Sequence, residues 1–172
     1  MIANRFTPIE TTQAGIKARD QETAQTVLLV DVRHLDARLV GLFHPALIAV
    51  FAIVEYAGRT LAATEFVHGR SLKELFAGEP CHPRRAAQFV SELADGVAEL
   101  HARGIVHGNI TQASAIMTAK GKARLSLTSA IGGDETLDVN ALKLVLKTIG
   151  GQPTELANQA QSAAVLAAVL RS

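Results

Sequence analysis

The hydrophobic period of this chain changes once, near Pro83, and that change constrains the fold class more than any other feature. Upstream, apolar residues come in short runs of β-branched and aliphatic side chains, over residues 26–32, 47–55 and 60–67. The first, Thr26-Val27-Leu28-Leu29-Val30-Asp31-Val32, is continuous enough to predict a strand covered on both faces. The other two flank Tyr56-Ala57-Gly58-Arg59, whose glycine suits a hairpin connection. Residues 35–43 carry a short helical pattern closed by His44-Pro45, because the residue before a proline is driven out of the helical region.

Downstream the spacing is 3.6. Phe89, Leu93, Val97 and Leu100 share one helical face, with Pro83 in the first turn and Gly104 past the end. Two β-like pieces, 115–118 and 123–127, follow around a Lys120-Gly121 turn. Residues 137–149 predict a helix apolar almost all round and hence mostly buried, stopped by Gly150-Gly151-Gln152-Pro153. The alanine-rich tail predicts a helix over 155–170 that turns Leu156, Ala160, Ala163, Ala164, Ala167 and Leu170 inward. Strands first and helices after give an α+β architecture.

At 172 residues the chain has room for one domain with a real core. Its 17 Lys and Arg against 16 Asp and Glu leave a net charge of +1, without the basic excess of a nucleic-acid binder. The lone Cys81 sits between prolines with no second thiol near it, which reads as an ordinary free thiol. The six histidines form no H-E-x-x-H pattern, and no C-x-x-C or G-x-S-x-G occurs, so a zinc or hydrolase site is disfavoured. Residues 46–54, the longest apolar run, fall short of the roughly 20 needed to span a bilayer. With no apolar leader at the N-terminus, a cytoplasmic location is the expectation. Arg84-Arg85 reads as a solvated face.

Four strings then resemble a protein kinase, in the order a kinase has them. Leu42-Phe43-His44-Pro45-Ala46-Leu47-Ile48 is similar to the L-x-HPNI turn. Glu65-Phe66-Val67-His68-Gly69-Arg70-Ser71-Leu72 is similar to the hinge. Leu100-His101-Ala102-Arg103-Gly104-Ile105-Val106-His107 is similar to the entry into the catalytic loop. Thr136-Leu137-Asp138-Val139-Asn140-Ala141-Leu142 resembles the helix that follows it in the large lobe. The resemblance runs from about Arg5 to Pro153 and points to bacterial Ser/Thr protein kinases. It implies a single kinase-like domain over 1–172, with a small β lobe over about 1–67 and a short αC. A hinge over about 65–70 and a truncated, mainly helical lobe over about 71–172 complete it.

Phosphoryl transfer needs a phosphate-covering glycine loop, a lysine on the phosphates, and acidic and amide groups that hold Mg²⁺. The resemblance places other residues at these positions. The first strand pair, around Gly15, is too short for the glycine loop, and Val30 stands at the phosphate-lysine position. Asn109 stands at the catalytic aspartate, Thr111 at the adjoining lysine, and Ser114 at the metal-binding asparagine. Leu127-Thr128-Ser129 occupies the D-F-G position. The helical glutamate falls near Leu35 or Asp36. His107 and Asp138 are retained, and their kinase counterparts are structural.

These substitutions imply a catalytically inactive pseudokinase, not an enzyme, that acts in signalling as a protein-interaction, scaffolding or regulatory module. No cofactor and no Mg-ATP binding are expected. Apolar surface left by the short large lobe would suit a protein partner or a homodimer; equally, the tail helix could cover it and leave a monomer. The alternative is a residual nucleotide-binding protein or atypical phosphotransferase using Lys17 and Asp134.

Overall fold

Short apolar runs in the first third of the chain form strands that pair into a single antiparallel sheet. The computed structural model describes all 172 residues, Met1–Ser172, in two compact units. The first comprises Met1–Phe43 with Ile48–Val67, and the second His44–Leu47 with His68–Ser172.

In the first unit, β1 (Phe6–Thr11), β2 (Ile16–Asp20), β3 (Thr26–Asp31), β4 (Val50–Tyr56) and β5 (Arg59–Glu65) form a sheet in the order β1-β2-β3-β5-β4. The β1–β2 connection is a tight turn in which Gly15 O accepts from both the amide and the hydroxyl of Thr12. β3 alternates: Val27 and Leu29 are buried with Ile2, Phe6, Ala18, Leu61 and Ala63, while Leu28 and Val30 on the other face are half-buried. The core therefore lies on one face of β3. The short helical pattern over 35–43 condenses to one 3-10 turn, Ala37–Leu39. Asp36 caps that turn, and the Gly41 amide leaves it to bond Val50 O.

The second unit is built on α2 (Pro83–Ala102), which buries Phe89, Val90, Leu93, Ala94, Val97 and Leu100. A small sheet of β6 (Gly69–Ser71), β7 (Ala115–Thr118) and β8 (Ala123–Leu125) packs beside it, and the four-residue α1 (Leu72–Leu75) leaves β6. The His44–Leu47 turn seats on α2 at Gly96. A Cβ there would lie 2.9 Å from Leu47 Cδ2 and 3.2 Å from the Ala46 Cβ, so only glycine lets the turn approach this closely. Arg84 and Arg85 are exposed, and Arg85 lies over the Phe89 ring.

α3 (Glu135–Thr148) buries Asp138, Val139, Leu142, Val145 and Leu146. The tail is two helices, α4 (Glu155–Gln159) and α5 (Ala163–Arg171), where the composition predicts one. Lys143 Nζ donates to the carbonyls of Asn158 and Ala160 at 2.8 and 2.7 Å, which satisfies the end of α4. Ser162 then caps a new helix through Val165 N–H. The break rephases the inward face, so Ala157 is buried and Leu156 is 66% exposed. α5 packs chiefly along α2, pinned by Arg171 on Asp95, and only marginally on α3. For that reason α3 is not buried all round: Leu137 and Leu144 are exposed.

Candidate functional site

In the second unit, the end of α2, the loop over 107–114 and the start of α3 converge on one fully buried carboxylate. α3 starts where it does because Asp134 accepts from Thr136 N–H and closes its first turn. That start places Asp138 one turn inside the helix. Its Oδ2 accepts from the His107 amide at 2.9 Å, and its Oδ1 from the Gly108 amide at 2.8 Å. His101 Nε2, from the last turn of α2, also reaches Oδ2 at 2.9 Å. Two amides and one imidazole thus surround an acid that is 0% exposed, the compensation a buried carboxylate requires.

His107 is equally buried. Its Nδ1 accepts from Asn109 N–H, and its Nε2 meets Ser126 O at 2.8 Å. An accepting Nδ1 assigns the proton to Nε2, so the ring is neutral. Burial lowers its pKa below the usual histidine value, against the opposing pull of Ser126 O and the Asp138 charge.

The neighbouring positions are engaged locally. Asn109 is exposed and donates from Nδ2 to Ser129 O at 3.2 Å. Ser114 Oγ accepts from Thr111 N–H and donates to Thr111 O, both at 2.9 Å. Leu127 is buried, and the hydroxyls of Thr128 and Ser126 lie 3.2 Å apart. The His107 carbonyl accepts from the amides of Ile131 and Gly132. Gly108 has φ +76, and a Cβ on it would lie 1.8 Å from Gly132 O, so the two strands of loop touch through their backbones. Asn109 and Ser126 bond His107 directly, Ser129 follows through Asn109, Thr128 and Ser114 through Ser126, and Thr111 through Ser114, while Leu127 is buried within the same segment.

Val30, by contrast, stands in the first unit, paired across the sheet with Ala62. Lys17 is also there, with Nζ 4.7 Å from the centre of the Phe66 ring, and it belongs to a different unit from the capping Asp134. No group of three or more His, Cys, Asp or Glu side chains is arranged to hold a metal ion. No helix is long and apolar enough to cross a membrane.

His101 carried no function in the sequence. The signal available was its place one residue past Leu100 on the α2 stripe, too weak to pair it with an acid 37 residues away. The half-buried ion pair in the first unit was also hidden: Arg5 Nε and Nη2 bind Asp20 Oδ1 and Oδ2 at 2.9 and 2.7 Å. Arg5 holds the Asp20 carboxyl down to a pKa of about 2.

No family model matches the chain. It is 29% identical over 142 residues, 79% of its length, to serine/threonine-protein kinase pkn2 of Myxococcus xanthus. Over 104 residues, 60% of its length, it is 29% identical to serine/threonine-protein kinase PknJ of Mycobacterium tuberculosis. In each case it spans 16% of the relative. The PknI kinase domain of Mycobacterium tuberculosis superposes with a TM-score of 0.78 at 15% identity, covering 99% of this chain and 96% of that one. One expectation is corrected here. The chain was expected not to be an enzyme, whereas the curated relatives are named serine/threonine-protein kinases, which are enzymes. The two-unit α+β chain has the fold of a protein kinase domain, and its sequence is similar to bacterial Ser/Thr protein kinases.

Proposed function

We propose that this chain is a protein-interaction, scaffolding or regulatory module on the kinase fold, working in the bacterial cytoplasm, whose 107–114 loop holds the fold together and not Mg-ATP. The observation that carries this reading is the hydrogen bonding of the loop itself. The Asp138 carboxylate holds the His107 and Gly108 amides, and the Asn109 amide and Ser114 hydroxyl close on backbone groups nearby. Side chains engaged in this way position a backbone. A magnesium clamp needs carboxylates directed at the metal, and where the resemblance aligns the catalytic aspartate, the metal-binding asparagine and the D-F-G segment this chain has Asn109, Ser114 and Leu127-Thr128-Ser129, none of them an acid. Lys17 on Phe66 and Asp134 on the α3 amide likewise have local partners, which weighs against their use on phosphates.

Thermal unfolding with and without millimolar ATP, each with and without Mg²⁺, tests the reading. A ligand at 100 times its dissociation constant stabilises a fold by about 2.7 kcal/mol, a shift of several degrees at this size. The expected result is no shift under any condition. A shift that requires Mg²⁺ overturns the reading.

A further inference from the structure

Two arginines, Arg84 and Arg85, open α2, and no acid accompanies them in its first turn. That reverses what a helix start favours, since the positive end of the helix dipole prefers carboxylates. No ion pair offsets it: Arg84, Arg85 and Lys120, which lies on the turn between β7 and β8, are all exposed and none has a carboxylate partner. The three cations line one cleft of about 560 Å³ with His82, Gln88 and Gly121, and no acidic side chain lines it. Glu92, two turns further along α2, is taken. It accepts from the Ala123 amide at 2.7 Å and pairs with Lys122 at 3.5 Å. Arg85 is held in place as well. Its guanidinium carbon stands 5.4 Å from the centre of the buried Phe89 ring, and its Nη2 is 3.6 Å from where a Cβ on Gly121 would be. The first-turn amides add nothing to the cleft, because that of Arg84 bonds His82 Nδ1 and those of Arg85 and Ala86 bond His82 O. The cleft is therefore built from side chains of two elements, not from a helix end.

We propose that this cleft receives a phosphorylated serine or threonine of a protein partner. This deepens the interaction-module reading, and rests on it, by giving the chemistry the partner presents. Charge complementarity carries the argument. A phosphorylated side chain brings a charge of about −1.5 to −2 and three acceptor oxygens, which three cations around one cleft can share, whereas a single carboxylate leaves the cleft positive. Guanidinium forks grip phosphate oxygens in pairs, and one already seated on Phe89 loses little freedom on binding. The anion also lies at the positive end of a 20-residue helix, so it removes the mismatch in the first turn. A peptide fits the surroundings better than a free anion does. Past Arg84 and Gln88 a second cleft of about 550 Å³ continues along α2 beside Gln152, Thr154 and the end of α5. The amides of Gln88 and Gln152 both donate and accept, as hydrogen bonding to a peptide main chain requires.

Fluorescence anisotropy of the full chain at physiological ionic strength, about 0.15 M, tests this. The probe is a fluorescein-labelled nonapeptide pool, random except for a central phosphoserine or phosphothreonine in equal parts, compared with the same pool unphosphorylated. Wild type should bind the phosphorylated pool at least about tenfold more tightly. Arg84→Gln and Arg85→Gln should each weaken that binding by about tenfold, and Lys120→Gln by less. Arg33→Gln, the same charge change on an exposed residue of the first unit, should leave it unchanged. None of the four should lower the unfolding midpoint. Inorganic phosphate should displace the probe only at a concentration at least about tenfold above that of the unlabelled phosphorylated pool. No preference for the phosphorylated pool overturns the proposal. So does a loss in Arg33→Gln as large as in Arg85→Gln, which reduces the binding to net charge, or equal potency of inorganic phosphate, which makes the cleft a free-anion site. The nucleotide test above is independent. Mg²⁺ offsets the phosphate charge that this cleft attracts, so a shift requiring Mg²⁺ overturns the interaction-module reading, while the peptide titration still decides the cleft.

Discussion

The two units each bury one aspartate completely, and they neutralise it in different ways. In the sheet unit, Asp20 ends β2 and is gripped at both oxygens by the Arg5 guanidinium, with the Glu22 amide on Oδ1. In the helical unit, Asp138 has no cation of fixed charge and relies on two backbone amides and His101. The ion pair ties two side chains together and, beyond the one Glu22 amide, leaves the backbone to its own ladder and turn bonds. A carboxylate on amides does the reverse and fixes a stretch of irregular backbone that has no ladder. Asp20 therefore acts as a clasp on a hairpin already paired, whereas Asp138 is part of what gives the 107–108 loop its conformation.

That contrast orders the expected losses. Asp138→Ala should be the most damaging, because it strands the buried His107 amide and the half-buried Gly108 amide and removes the partner of His101; about 3–5 kcal/mol of stability should disappear in chemical denaturation. Asp138→Asn should recover part of this, since its one acceptor oxygen serves one amide. A loss as small as that of an exposed side chain would break the comparison.

Asp20→Asn should cost less, on the order of 2 kcal/mol at neutral pH, the worth of a carboxyl whose pKa falls from 3.8 to about 2 on folding. The sign is that of a depressed acid. The contribution is present above pH 3.8, the unfolded value, and is lost as pH falls through about 2. His107 adds a second slope of the same sign, because its folded pKa also lies below its unfolded 6.5. The wild-type curve should fall first below about pH 6.5 and again towards pH 2. In Asp20→Asn only the lower step should flatten, which acid titration of the unfolding midpoint separates from the upper one.

Asn109→Ala should matter least. Its side chain is exposed and makes one bond to Ser129 O, so a change of about 0.5 kcal/mol is expected. A large loss at this position would mean that the loop depends on Asn109 as well as on Asp138.

How much of this the sequence contained differs between the same two places. The period change near Pro83 delivered the α+β order, and α2 matches its expected bounds because Phe89, Leu93, Val97 and Leu100 repeat without interruption. β3, β4, β5, β7 and β8 came through as well, within a few residues, whereas β6 lies in the segment read as a hinge. The tail did not: alanine sits equally well in a continuous helix or a broken one, and the break depends on Lys143 reaching two carbonyls from another helix. The exposed stripe of α3 was illegible for a related reason, since Leu137 and Leu144 look like core residues until the path of α5 is known. In the candidate site, His107, Asp138 and the 109–114 string could be singled out because they lie in kinase-like strings. His101 lies in the same string as His107, but nothing in that string marks it as a partner of Asp138, and the Arg5–Asp20 pair carries no local pattern; only the fold brings them to their partners.

Amide hydrogen exchange at His107 and Gly108 tests the central claim most directly. Both amides should exchange slowly in wild type, with a protection unchanged by Mg-ATP, and should lose that protection in Asp138→Ala under conditions where the α2 amides keep theirs. Rapid exchange at these two positions in wild type, or a protection that rises when Mg-ATP is added, would contradict the account.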